Sequence, residues 1–255
     1  MNIKRHAFPV ILLVSLVAGC ASMRAIPLDQ SFWQEKAKRV GVVLTLPPPA
    51  EVHLVSSLAP MVRGGYPMMI VGGMRDTEYI DVPLLMAESR SLREASQGLD
   101  AREFAVVQTL FVQGLKDKGF FAFALEQRID EGSLQPFRDG PGDAVYACRD
   151  YRELGRAAGV DYLIVAGLKR YGTTCRYVGM DDYAVEVYAG VRAQMIEVAT
   201  NRVLWRTGAF DTSFNRTVNA SCWRPDHTHV ILDALKALLK EAATETAGRF
   251  FSPEP

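Results

Sequence analysis

The 255-residue chain carries 29 basic and 29 acidic residues, and 49% of it is hydrophobic. A formal net charge of zero points to neither nucleic acid nor an anionic lipid surface as a partner. The length suits one sizeable domain or two small ones.

The amino terminus reads as an export signal. Lys4 and Arg5 precede an apolar run from Ala7 to Gly19, which is too short to span a bilayer, since a spanning helix needs about 20 residues. The run ends in Val17-Ala18-Gly19-Cys20, which resembles the lipobox of bacterial lipoproteins. That resemblance implies a diacylglycerol on the Cys20 thiol, cleavage before Cys20 and acylation of the new amine. Several acyl chains give stable attachment where one is marginal. Ala21 stands where an aspartate would imply inner-membrane retention, so the expected location is the periplasmic face of the outer membrane. The expected organisation is a signal peptide at 1–19, a lipid anchor and tether at 20–39 and a periplasmic domain at 40–255. Loss of Lys4 and Arg5 leaves 27 basic against 29 acidic residues.

Val40 to Leu46 is a short β-branched run stopped by Pro47-Pro48-Pro49, which predicts a buried strand. A long insert follows at 47–99, with a Gly/Met-rich patch from Gly64 to Met74 that exposes Met68, Met69, Ile70 and Val71 as expected partner contacts. Asp100 and Glu103 form a capping-box-like start to a helix whose Phe104, Val107, Phe111 and Leu115 share one face, with Gly119 as the stop. Phe120 to Leu125 predicts a strand, and a polar loop follows through Pro136, Gly140, Pro141 and Gly142. Asp150 and Glu153 repeat the capping pattern for a short helix lined by Tyr151, Leu154 and Ala158 and ended by Gly159. Val160 to Gly167 predicts a second apolar strand. Val185, Val187, Ala189, Val191, Ala193 and Met195 alternate with Glu186, Tyr188, Arg192 and Gln194, as a half-buried strand requires. A turn at Thr200-Asn201 leads into Val203 to Arg206 as a hairpin. A helix from about 228 to 247 presents Ile231, Leu235, Leu238, Leu239 and Ala242.

This order predicts an α/β fold: a single domain with a mixed sheet flanked by helices and a long insert after the first strand. Three stretches resemble the amino-terminal domain of TolB, the curli secretion lipoprotein CsgG and the penicillin-binding-protein activator LpoB: Leu154 to Gly167, Met195 to Trp205, and the opening strand at 40–46. Asn201 stands where those relatives carry glycine, a departure that a left-handed turn tolerates. The resemblance implies an envelope adaptor, activator or assembly part.

Past Cys20 the chain holds Cys148, Cys175 and Cys222, which in an oxidising compartment allow one disulfide and one leftover thiol. Cys175 and Cys222 are the favoured pair because both fall in polar, loop-like stretches; Cys148, at the start of a helix, is the alternative partner. Cys222, Asp226, His227 and His229 hold zinc-ligand types at a spacing that matches no standard finger, so Asp226 or Thr228 is expected to cap the last helix instead. Asp161 with Asp181-Asp182 offers carboxylates, with the latter pair in a loop. No nucleophile elbow or phosphate-binding glycine loop is present. The expectation is therefore a non-enzymatic lipoprotein without catalytic residues, metal or cofactor. Its partners are the lipid bilayer through acylated Cys20 and another envelope protein or a second copy, with no nucleic acid. An oligomeric secretion or assembly component is the second reading, and a hydrolase or metal enzyme the third.

Overall fold

The computed structural model describes residues 25–56, 102–137, 145–179, 182–208, 213–220 and 225–252. In chain order the elements are β1 (Arg39–Leu44), β2 (Glu51–Ser56), α1 (Arg102–Asp117), β3 (Phe121–Ala124), α2 (Arg152–Ala158), β4 (Tyr162–Gly179), β5 (Asp182–Glu197), β6 (Arg202–Arg206), β7 (Ser213–Val218) and α3 (Thr228–Phe251). Short 3-10 turns lie at Gln30–Gln34 and Pro225–His227.

The long antiparallel hairpin of β4 and β5 is the spine of a seven-stranded mixed sheet. Near its base the order is β3-β1-β4-β5-β6, with β1 parallel to both neighbours. Towards its tip β2 pairs with β4 in parallel, and β7 pairs with β5 antiparallel. The predicted mixed sheet flanked by helices is therefore present. The apolar run at 160–167 marks only the start of β4, which continues for 18 residues. Period-2 reading loses the strand there for a physical reason. Leu168 faces Val191 and Arg170 faces Gly190, so Lys169 is an extra residue, a β-bulge. Before it the even-numbered Tyr162, Ile164, Ala166 and Leu168 point into the main core; after it the odd-numbered Tyr171, Thr173 and Cys175 are the buried ones.

The main core lies between the sheet and α1 with α3. Phe104, Val107, Phe111 and Leu115 are buried as one face of α1. Ile231, Leu235, Leu238, Leu239 and Ala242 are buried along α3, joined by Ala243, Thr246, Ala247 and Phe250. The helix extends past the expected end to Phe251, and Phe250 packs edge-on to Trp205 with ring centres 5.0 Å apart. The N-cap is His227, which makes no side-chain capping hydrogen bond, and not Asp226 or Thr228; the preceding 3-10 turn leads straight in.

A smaller core occupies the other face of the sheet base. Val43, Leu163, Val165, Ile196, Val198 and Val203 pack there with Leu154 and Ala158 of α2 and with Ile129, Leu134, Ala147 and Tyr151. Asp150 Oδ1 accepts the Arg152 N–H at 3.0 Å, but the N-cap of α2 is Tyr151 without a side-chain cap bond, and the Asp150 N–H goes to the Gln135 carbonyl, so the predicted Asp150–Glu153 box does not form. Gly119 and Gly159, with φ of 87° and 64°, end α1 and α2 in the left-handed region where glycine is unstrained. On α2 the predicted Leu154 and Ala158 are only half-buried. The fully buried helical position is Gly155, where an added Cβ would sit 2.4 Å from Val198 Cγ2. The helix seats itself by lacking a side chain, which a search for apolar residues does not detect.

Two segments expected outside the core belong to it. The first part of the 47–99 insert supplies β2, with Ala50 and Val52 buried; its length of β-branched sequence is short and polar enough to escape notice. The lead-in at 25–38, expected as tether, buries Leu28 and Phe32. Phe32 stacks on Phe120 with ring centres 4.8 Å apart and meets Tyr162 edge-on at 5.5 Å. Earlier still, Ile26 exchanges backbone hydrogen bonds of 3.0 Å with Arg206 at the end of β6.

Candidate functional site

The bulge that resets β4 also places two cations side by side. Lys169 and Arg170 are both exposed on the face opposite the main helices. Beside α2 and the segments 129–137 and 145–151 lies a cleft of about 440 Å³ that Lys169 lines. Val165, Gly167 and Lys169 of β4, with Val191 and Arg192 of β5, lie along it. Arg206 at the end of β6 and the segment Cys148–Arg149 border it as well. Among the described residues that line it are four cations (Arg149, Lys169, Arg192 and Arg206) and one carboxylate, Glu131.

Each wall is fixed by identifiable bonds. Glu131 accepts from the Tyr151 hydroxyl and pairs with Arg192. Tyr151 is buried, which raises the pKa of its phenol and keeps it a neutral donor. Loss of hydration lowers the pKa of Arg192 and Arg206, though guanidinium remains charged in proteins. Arg149 donates to the Leu134 carbonyl at 3.2 Å. Thr207 Oγ accepts the Ala193 N–H at 3.1 Å and holds the end of β6 against β5.

The 145–151 wall hangs on Asn201. This residue is fully buried with φ 65°, the only non-glycine in that region among the described residues. Its Oδ1 accepts the Tyr151 N–H at 3.0 Å, and its Nδ2 donates to the Arg149 and Ala147 carbonyls at 2.8 and 3.3 Å. Its own carbonyl accepts the Ala147 N–H at 3.0 Å. Glycine could supply the turn but none of the side-chain bonds.

A second polar site of about 220 Å³ lies on the open sheet face near β2 and β7. His53 Nε2 is 3.0 Å from Glu51 Oε2, and the Tyr188 hydroxyl donates to the same oxygen at 2.7 Å. The Tyr188 bond, then that of His53, holds the Glu51 carboxyl below the usual carboxylate range. Arg170 sits over the Tyr188 ring, 5.4 Å from its centre. The Glu51 carboxylate of this cluster is held by its own neighbours, whereas the described lining of the larger cleft holds four cations and one carboxylate.

The residues singled out in the sequence distribute as follows. Cys20, Met68, Met69, Ile70, Val71 and Cys222 lie outside the described residues. Cys175 is not in a loop: it is buried inside β4 and disulfide-bonded, because its polar neighbours face outward from a strand whose inner face is closed. Cys148 is an exposed free thiol beside the cleft, ahead of α2 rather than in it. Asp161 accepts the Arg39 N–H at 2.8 Å and stands 3.9 Å from Lys38, which pins the start of β1. Asp182 opens β5. Among the described residues no group of three metal-ligand side chains converges, Asp226, His227 and His229 included. No described helix is long and apolar enough to cross a membrane. The one sequence signal of the cleft is the adjacent pair Lys169-Arg170, which ends the apolar run from Tyr162 to Leu168.

No protein-family model matches the chain, and no curated protein matches it. Solved structures do. A minor lipoprotein from Acinetobacter baumannii is 9% identical over 60% of this chain and 83% of that one, with a TM-score of 0.32. Lipoprotein GNA1162 from Neisseria meningitidis is 12% identical over 79% and 99%, at 0.27. PelC from Paraburkholderia phytofirmans, solved as a dodecamer, is 13% identical over 81% and 87%, at 0.23. Likenesses of this size concern the arrangement of strands and helices and transfer neither a partner nor a residue role.

Proposed function

We propose that this chain is a lipoprotein anchored by acylated Cys20 to the periplasmic face of the outer membrane, where it acts without catalysis as a docking or accessory factor for another envelope protein. One observation carries the reading: Val17-Ala18-Gly19-Cys20 ends a signal-like run only a few residues before Ile26 and Leu28, which are already packed on the domain. The resemblance of Leu154 to Gly167 and Met195 to Trp205 to the TolB, CsgG and LpoB group supports the docking role. So does the described surface, where Phe121 on edge strand β3 is 68% exposed and Leu46 is 54% exposed. In this reading Met68, Met69, Ile70 and Val71 add partner contacts.

Cys20→Ser is expected to abolish incorporation of labelled fatty acid and to release the protein from membranes. Equal labelling of the two proteins refutes the anchor.

Docking is read by crosslinking in intact envelopes, comparing the lipidated wild type with a variant in which residues 64–74 become a Gly/Ser linker. The wild type is expected to capture a distinct envelope protein and the variant to lose it while staying folded. A product made only of this chain would favour the oligomeric assembly component instead. Unfolding of the variant would assign the patch to the domain's own core.

A further inference from the structure

The anchor and the cationic cleft converge on one place in the fold. Ile26 is bonded through both its N–H and its C=O to Arg206, and Arg206 lines the cleft. Six residues of chain run from Cys20 to Ile26, so even fully extended they reach at most about 20–22 Å. A lipid on Cys20 therefore holds this end of β6 close to the bilayer surface, where phosphate groups are concentrated. Lys169, raised by the bulge and without a carboxylate partner among the described residues, stands in the same cleft as Arg192 and Arg206. Guanidinium and ammonium groups together suit a phosphate, the former by forked hydrogen bonds and the latter as a point charge. Glu131 pairs with Arg192, and Lys169 adds a cation that has no carboxylate partner among the described residues.

We propose that this cleft takes the phosphate headgroup of an anionic lipid of the very membrane that holds the anchor, and so fixes how the domain sits on that surface. The proposal rests on the lipidation reading. It turns a tethered domain into an oriented one, with acyl chains and headgroup as two points of attachment.

Cys148 lines the cleft as a free, exposed thiol and is a built-in reporter. The full lipidated protein is reconstituted in vesicles of phosphatidylcholine alone or mixed with phosphatidylglycerol, and the rate of Cys148 labelling by a neutral maleimide is measured. Flotation with both vesicle types is expected, with labelling several-fold slower on the phosphatidylglycerol vesicles. The double variant Lys169→Gln, Arg206→Gln should float equally and lose that difference; the single Lys169→Gln, at an exposed position, should reduce it if the double variant does not fold. Equal rates for wild type on the two compositions overturn the proposal, as does a difference that survives in the variants. Slowing by dissolved glycerol phosphate without slowing by phosphatidylglycerol would overturn the membrane source. Failure to float on either vesicle is a separate result that overturns the lipidation reading beneath it.

Discussion

Asn201→Ala is expected to destabilise the domain by about 2–5 kcal/mol, read as a lower urea midpoint. Two contributions combine. A left-handed backbone costs an alanine roughly 1–2 kcal/mol. The lost carboxamide leaves the Tyr151 N–H and the Arg149 and Ala147 carbonyls without their side-chain partner, at about 1–3 kcal/mol for a buried group that stays unsatisfied. Asn201→Gly separates the two effects. It adopts φ 65° without strain and still loses the bonds, so it should fall between wild type and alanine, about 2 kcal/mol below wild type. In both variants the 145–151 wall loses its clamp, and Cys148 should react faster with maleimide in folded protein. Should the glycine variant match wild type in stability and in Cys148 reactivity, the hub role is wrong and Asn201 is only a turn residue.

Phe32→Ala is expected to cost about 3–5 kcal/mol, the range for a large aromatic removed from a packed site. Phe32 is 3% exposed and fills the space between Phe120, Tyr162 and Phe250. Its neighbour Trp33 packs edge-on to Phe250 at 5.6 Å, and Lys118 lies 4.9 Å from the Trp33 ring centre. Loss of Phe32 should also free the lead-in, so that limited proteolysis cuts within 25–38 before it cuts elsewhere. Under the proposed lipidation of Cys20, a released lead-in would let the domain drift from the membrane by many more residues of chain. A true tether at 20–39 would show neither effect, and unchanged stability with unchanged proteolysis would restore that reading.

The sequence by itself determined the class of fold and the buried faces of its main helices. Periodicity carries this information wherever an element buries one face, and Phe104 to Leu115, Ile231 to Ala242 and Val185 to Met195 all do so. Asn201 was also visible as a residue standing where the related domains place glycine. Why it is asparagine was not visible, because its bonding partners lie about 50 residues away in sequence. The tertiary structure alone decided three further matters. Lys169 breaks the period of β4, so the strand beyond it reads as loop although Cys175 is buried in it. Gly155 and β2 contribute through close approach and pairing, which leave little apolar pattern to read. The cleft gathers Glu131, Lys169, Arg192 and Arg206 from four separate segments. Those segments meet only once the sheet pairs and the 145–151 wall is hung from Asn201, and no local sequence pattern encodes that meeting.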